Sequence, residues 1–269
     1  MKKYKLTDET CNTLHGKTLY RIEALTGFAN VKAGDKGGYV QSECNLSQEG
    51  TCWLYGYAKV YGDAKVFGDA KVYGYAEVYG DAKVFGDAKV YGYTKVYGDA
   101  KVYGDAEVYG DAKVFGDAKV YGDAEVYGDA KVFGYAEVFG NAKVYGDAKV
   151  FGDAKVYGYA EVYGDAEVFG YAEVFGNAEV YGDAEVFGDA KVTKHSDYIV
   201  FKNWWSSGRY FTWTRSNNMW RVGCFYGTSQ QLIKKAYADS NTIGKEYERV
   251  VRYVESILAD ETKEKTSNE

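Results

Sequence analysis

The sequence predicts a mainly β protein built on a parallel β-solenoid. Three observations predict it. A six-residue phrase, approximately Val-(Tyr/Phe)-Gly-Asp-Ala-(Lys/Glu), recurs from Leu54 to Val192 without insertion or deletion. Gly keeps a fixed place at 23 successive steps, from Gly56 to Gly188. Departures from the phrase also keep step: the Asp place holds Tyr57, Tyr75 and Tyr93, each 18 residues from the last, and Asn141, Tyr159 and Asn177 repeat that spacing. Self-similarity at a short period marks a solenoid, whose repeats bury an apolar face only by stacking on neighbours. The 18-residue interval predicts three hexads per coil.

Within each hexad, Ala-Lys-Val-(Tyr/Phe) alternates, so Ala and Val share one face of an extended segment and the charge and the ring share the other. A charge every six residues cannot line a dry core, which sends Val and Ala inward. Gly and Asp follow as corner formers, Gly because it takes positive φ without steric cost and Asp because it bonds nearby backbone. Seven to eight such coils at about 4.8 Å each make a rod about 35 Å long. The aromatic rings should then form exterior ladders within stacking range.

Residues 1–53 lack the period and read as an N-terminal cap over an otherwise open sheet end. Thr18 to Leu25 alternates like a strand, and Lys32 to Gly38 reads as a turn-rich loop. The first residues carry no apolar run of the signal-peptide kind, and no 18-residue apolar segment occurs, so a cytoplasmic protein with no membrane partner is expected. Cys11, Cys44, Cys52 and Cys224 show no metal-ligand spacing and are expected to be free thiols.

Residues 193–260 read as an α+β domain. Tyr198 to Trp204, Arg209 to Thr214 and Met219 to Tyr226 are rich in β-branched and aromatic residues and predict a three-stranded meander. Thr228 and Gln231 have capping-box spacing for a helix through about Ala238. A second helix is expected from about Lys245 to Asp260, with Tyr247, Val250, Val251 and Val254 on one face. Residues 261–269 read as a polar tail.

No nucleophile motif, phosphate loop or metal motif occurs, and neither histidine, His15 or His195, lies within the hexads. No catalytic residue, metal or cofactor is therefore expected. Two surfaces stand out as candidates. Trp204, Trp205, Arg209, Trp213, Arg215, Trp220 and Arg221 interleave rings with cations, which suits a protein partner, a nucleotide or a nucleic acid. Within the hexads, acidic groups outnumber basic ones by 24 to 14. Five successive hexads carry Glu161, Glu167, Glu173, Glu179 and Glu185, an acidic surface that could imitate nucleic acid.

The hexads, together with Gly37-Gly38-Tyr39-Val40-Gln41-Ser42-Glu43-Cys44-Asn45-Leu46-Ser47, resemble the YdcK-type hexapeptide-repeat β-solenoid proteins of bacteria, prophages and phages. The resemblance covers about residues 30–192 and implies a parallel β-helix of the left-handed triangular kind. Kinship with hexapeptide acyltransferases makes acyl transfer an alternative, although the histidine such enzymes place between coils has no counterpart in these hexads. The leading expectation is a non-enzymatic binding or scaffold protein, phage- or prophage-encoded, whose solenoid displays a C-terminal recognition domain, with a host defence system as one target. In that setting it would act in the host cytoplasm. A second copy of the chain is a further candidate partner, since coil ends and ring ladders can pair with themselves.

Overall fold

The computed structural model describes residues 2–14, 16–203 and 207–267. The chain divides into two compact units, Met1–His195 and Ser196–Glu269.

The first unit is the solenoid. Its hexads form short rungs such as Lys59–Val60, each paired in parallel with the rung one coil on, Lys59 opposite Glu77 and Val60 opposite Val78. Repetition builds three sheets of 11, 8 and 8 strands and about nine coils. The interval of 18 residues thus sets the coil. Backbone pairing runs through corners as well as rungs: the N–H of Lys59 donates to Ala76 O at 2.9 Å and that of Tyr57 to Gly74 O at 3.0 Å. Inside, the Ala and Val of every full hexad are fully buried, as at Ala118 and Val120. One hexad carries Thr94 in the Ala place; it is equally buried, and its hydroxyl donates to Tyr91 O at 2.7 Å.

The stack begins earlier than the strict hexads. β1 (Tyr4–Asn12) and β2 (Thr18–Ala24) pair antiparallel, β2 pairs antiparallel with β3 (Lys36–Val40), and β3 then pairs in parallel with Lys59–Val60. Val40 lies opposite Val60, Leu46 opposite Val66 and Leu54 opposite Val72. The phrase from Gly37 to Ser47 therefore belongs to the first coil, whose step from Leu46 to Leu54 is two residues longer than a hexad. That insertion hides the coil from a strict period. Trp53, in a place that later coils give to Lys or Glu, is buried against the rings of Tyr4 and Phe28. Lys3 is buried as well, its ammonium donating to Cys52 O at 3.0 Å and to Glu49 O and Gly50 O at 3.3 Å.

The second unit is a four-stranded antiparallel sheet with two helices. β4 (Tyr198–Lys202), β5 (Tyr210–Thr214), β6 (Met219–Val222) and β7 (Phe225–Gly227) pair in sequence order. The expected third strand is in fact two. Gly223, at φ +57°, turns the chain between Val222 and Phe225, which then face each other. α1 (Ser229–Asp239) starts at the predicted capping box, with Thr228 N–H donating to Gln231 Oε1 at 2.9 Å. α2 spans Asn241–Ser267, longer at both ends than expected. Ser240 Oγ accepts from Ile243 N–H at 3.1 Å at its start. No Gly or Pro stops it after Asp260, and Glu261 is held by Arg215.

Candidate functional site

Four strands and two helices leave Trp213 and Trp220 little surface. Phe211, Trp213, Trp220 and Val222 fall on one face of the sheet, where they pack with Leu232, Tyr247, Val251 and Val254 from the helices. Trp213 is 2% exposed and Trp220 0%. Their ring N–H groups are satisfied internally, Trp213 Nε1 donating to Asn218 Oδ1 at 3.0 Å and Trp220 Nε1 to Ser229 Oγ at 3.1 Å. Both are core residues, which corrects their reading as ligand contacts. Arg215 makes a two-pronged pair with Glu261 at 2.8 and 3.1 Å and donates to Ser196 O at 2.9 Å, so it ties α2 to the sheet at Glu261. Arg221 lies on the opposite sheet face from Trp220, across from Thr212 and Tyr226. Arg209 is exposed. Trp204 and Trp205 lie outside the described residues. The predicted cluster is therefore not one surface.

The five-glutamate run is not one surface either. Successive hexads occupy successive faces of the coil, so Glu161 and Glu179 sit on one sheet, Glu167 and Glu185 on a second, and Glu173 on the third, opposite Lys191. Most are wired to the preceding coil. Seven tyrosine hydroxyls, those of Tyr61, Tyr91, Tyr109, Tyr121, Tyr145, Tyr157 and Tyr163, donate to the glutamate one coil on at 2.8–3.3 Å. Lys89, Lys119 and Lys149 each approach a glutamate of the next coil to 2.7 Å. The Lys89 ammonium, bonded to Glu107, holds that carboxyl below its ordinary range. These networks lock neighbouring coils together and dilute the acidic field.

Burial among the ladder rings, with the carboxylate that each hydroxyl serves, pushes Tyr91, Tyr121, Tyr157 and Tyr163 up to about 12. A pKa raised by folding contributes stability that is complete below the free value of about 10 and lost as pH climbs through the folded one. The melting temperature of the solenoid should therefore hold to pH 10 and fall between pH 10 and 12, less steeply in Tyr91→Phe/Tyr121→Phe. Melting curves against pH check this. A decline complete below pH 10 would contradict it.

The exterior ladders form as predicted. Ring centroids from Tyr109 to Tyr127 and from Phe133 to Phe151 are 4.8 Å or less apart and nearly parallel. Two steps differ among the described residues: from Tyr73 to Tyr91 the rings lie 6.4 Å apart and perpendicular, and those of Phe169 and Phe187 are tilted by 30°. A second, local ladder occupies the Asp place, where Tyr57, Tyr75 and Tyr93 stack at 5.4 and 5.1 Å while remaining more than half exposed.

Two open grooves run along the coils beside these columns. The larger, about 860 Å³, is walled by Asp63, Asp81, Asp99 and Asp117 on one side and Lys65, Lys83, Lys101 and Lys119 on the other, and it continues to Tyr135, Asp153 and Tyr171. Lys65, Lys83 and Lys101 make no ion pair among the described residues. The second, about 450 Å³, runs from Tyr57 to Asp129 on another face. Neither was anticipated as a site. The signal was present, because folding the sequence at 18 residues aligns the departures from the Asp place on single faces. Among the described residues no group of three or more His, Cys, Asp or Glu is placed to hold a metal. His195 is exposed in a short turn, and His15 lies outside the described residues. No described helix is long and apolar enough to cross a membrane.

No family model matches the chain. Part of it is 37% identical to an Escherichia coli K12 protein named "Uncharacterized acetyltransferase YdcK". The match covers 20% of this chain and 19% of that protein's length. The partial likeness and the coiled stack together fit a hexapeptide-repeat family.

Proposed function

We propose that the chain is a non-enzymatic binding scaffold that recognises a protein partner along a face of its solenoid. The observation that carries this reading is the long groove between the Asp63–Asp117 and Lys65–Lys119 columns, whose side chains recur once per coil. Identical groups at a fixed spacing offer many equivalent contacts to an elongated partner and no distinguished point for a reaction. The opposed columns of charge favour a partner that carries both signs and disfavour a polyanion. With Trp213 and Trp220 in the core, the solenoid is a stronger candidate than the C-terminal sheet.

Affinity capture by the intact protein tests the reading. The Lys83→Glu/Lys101→Glu variant should lose the captured partner, and Arg209→Glu should keep it. The reverse result would return recognition to the C-terminal unit. Acyl transfer is favoured only by the name of the partial relative. Acetyl-coenzyme A binding that is weakened by His195→Ala would support it against the scaffold.

A further inference from the structure

In a chain this regular, the places where the repeat breaks are the most informative. We propose that Tyr135, Asp153 and Tyr171 form a cleft for a quaternary ammonium group. The three hold the Asp place in consecutive coils of one face: Tyr135 N–H donates to Gly152 O at 2.8 Å and Asp153 N–H to Gly170 O at 2.8 Å. Asp153 therefore stands one coil from each tyrosine. Tyr135 is 64% and Tyr171 72% exposed, and all three residues line the larger groove.

Two strand spacings place the rings about 9.6 Å apart. A cation midway between them is about 4.8 Å from each, inside the roughly 6 Å reach of a cation–π contact. Its methyl groups, projecting about 1 Å toward each ring, arrive at about 3.8 Å, which is van der Waals contact. A flat guanidinium stacked on one ring would leave the other untouched. Asp153 supplies a carboxylate at the level of the cation. Lys155 shares the groove, and its rung lies between those of Glu137 and Glu173.

The other exposed tyrosines provide contrasts within the same molecule. Tyr57, Tyr75 and Tyr93 follow one another coil by coil and leave no gap between rings. Tyr159 stands alone on another face between Asn141 and Asn177, with amides where the cleft has a carboxylate.

Titration of the intact protein with tetramethylammonium chloride, followed by tyrosine ring resonances, tests the cleft at constant ionic strength. Saturable binding is expected, weakened about 2- to 5-fold for each ring lost. Tyr135→Asp and Tyr171→Asp both restore the residue that the repeat carries elsewhere, so the coil is preserved. Tyr159→Asp should bind as the parent does. Equal binding by Tyr135→Asp and Tyr171→Asp, or guanidinium binding as tight as tetramethylammonium, would overturn the proposal. Choline and a trimethyllysine peptide then distinguish a free ligand from one borne on a polypeptide, and binding of either one supports the cleft. The inference rests on the solenoid face as the recognition surface and narrows it. Because the titration needs no captured partner, either idea can fail without the other.

Discussion

Replacing Trp220 by Ala is expected to cost the C-terminal unit about 3–5 kcal/mol, the usual range for truncating a large buried ring. The indole is 0% exposed, meets Phe211 edge-on at 6.4 Å between centroids, and donates to the buried Ser229 hydroxyl. Truncation removes the packing and strands a polar group at the start of α1. A unit of this size has little stability to spare, so cooperative unfolding should be abolished or moved far down the denaturant axis. Denaturation followed by the fluorescence of the remaining tryptophans checks this. A loss below about 1 kcal/mol would mean that the ring is a surface group after all.

Among the glycines of the strict hexads, Gly92→Ala should be the most damaging change, costing about 2–4 kcal/mol. Gly92 has φ +82°, a conformation that costs an L-residue about 1–2 kcal/mol. Its added Cβ would also come within 2.8 Å of Gly110 O one coil on, a carbonyl that already accepts from Tyr93 N–H at 2.9 Å. The backbone of two coils must shift to admit it. By contrast, Asp111→Asn alters an exposed corner side chain and should change stability by less than about 0.5 kcal/mol. Comparing the two variants by thermal melting separates the cost of the corner backbone from that of the corner side chain. Equal losses would contradict the account.

The solenoid was legible because its geometry is a lattice. Once Gly and Val recur every six residues, stacking permits few alternatives, and the spacing of Tyr57, Tyr75 and Tyr93 is enough to set the coil. What escaped lies where the lattice ends. β1, Tyr-Lys-Leu-Thr-Asp-Glu-Thr-Cys-Asn, is too polar to announce itself and is held by pairing with β2. The first coil is masked by its two-residue insertion. In the C-terminal unit, composition made Trp213, Trp220 and Arg221 look like one group, yet alternation separates them. Trp213 and Trp220 face each other across β5 and β6, whereas Arg221 points to the other side. Which face the helices would cover was not readable from the strands alone. The glutamate run misled for a related reason, since neighbours in sequence occupy different faces of a triangular coil.

Lysine footprinting of the intact protein with and without its captured partner locates the recognition surface. Acylation rates at Lys65, Lys83 and Lys101, in the groove, would be compared with those at Lys202, Lys234 and Lys235 in the C-terminal unit. Recognition along the solenoid predicts that the partner slows the first set and leaves the second unchanged. Protection confined to the C-terminal lysines would contradict it.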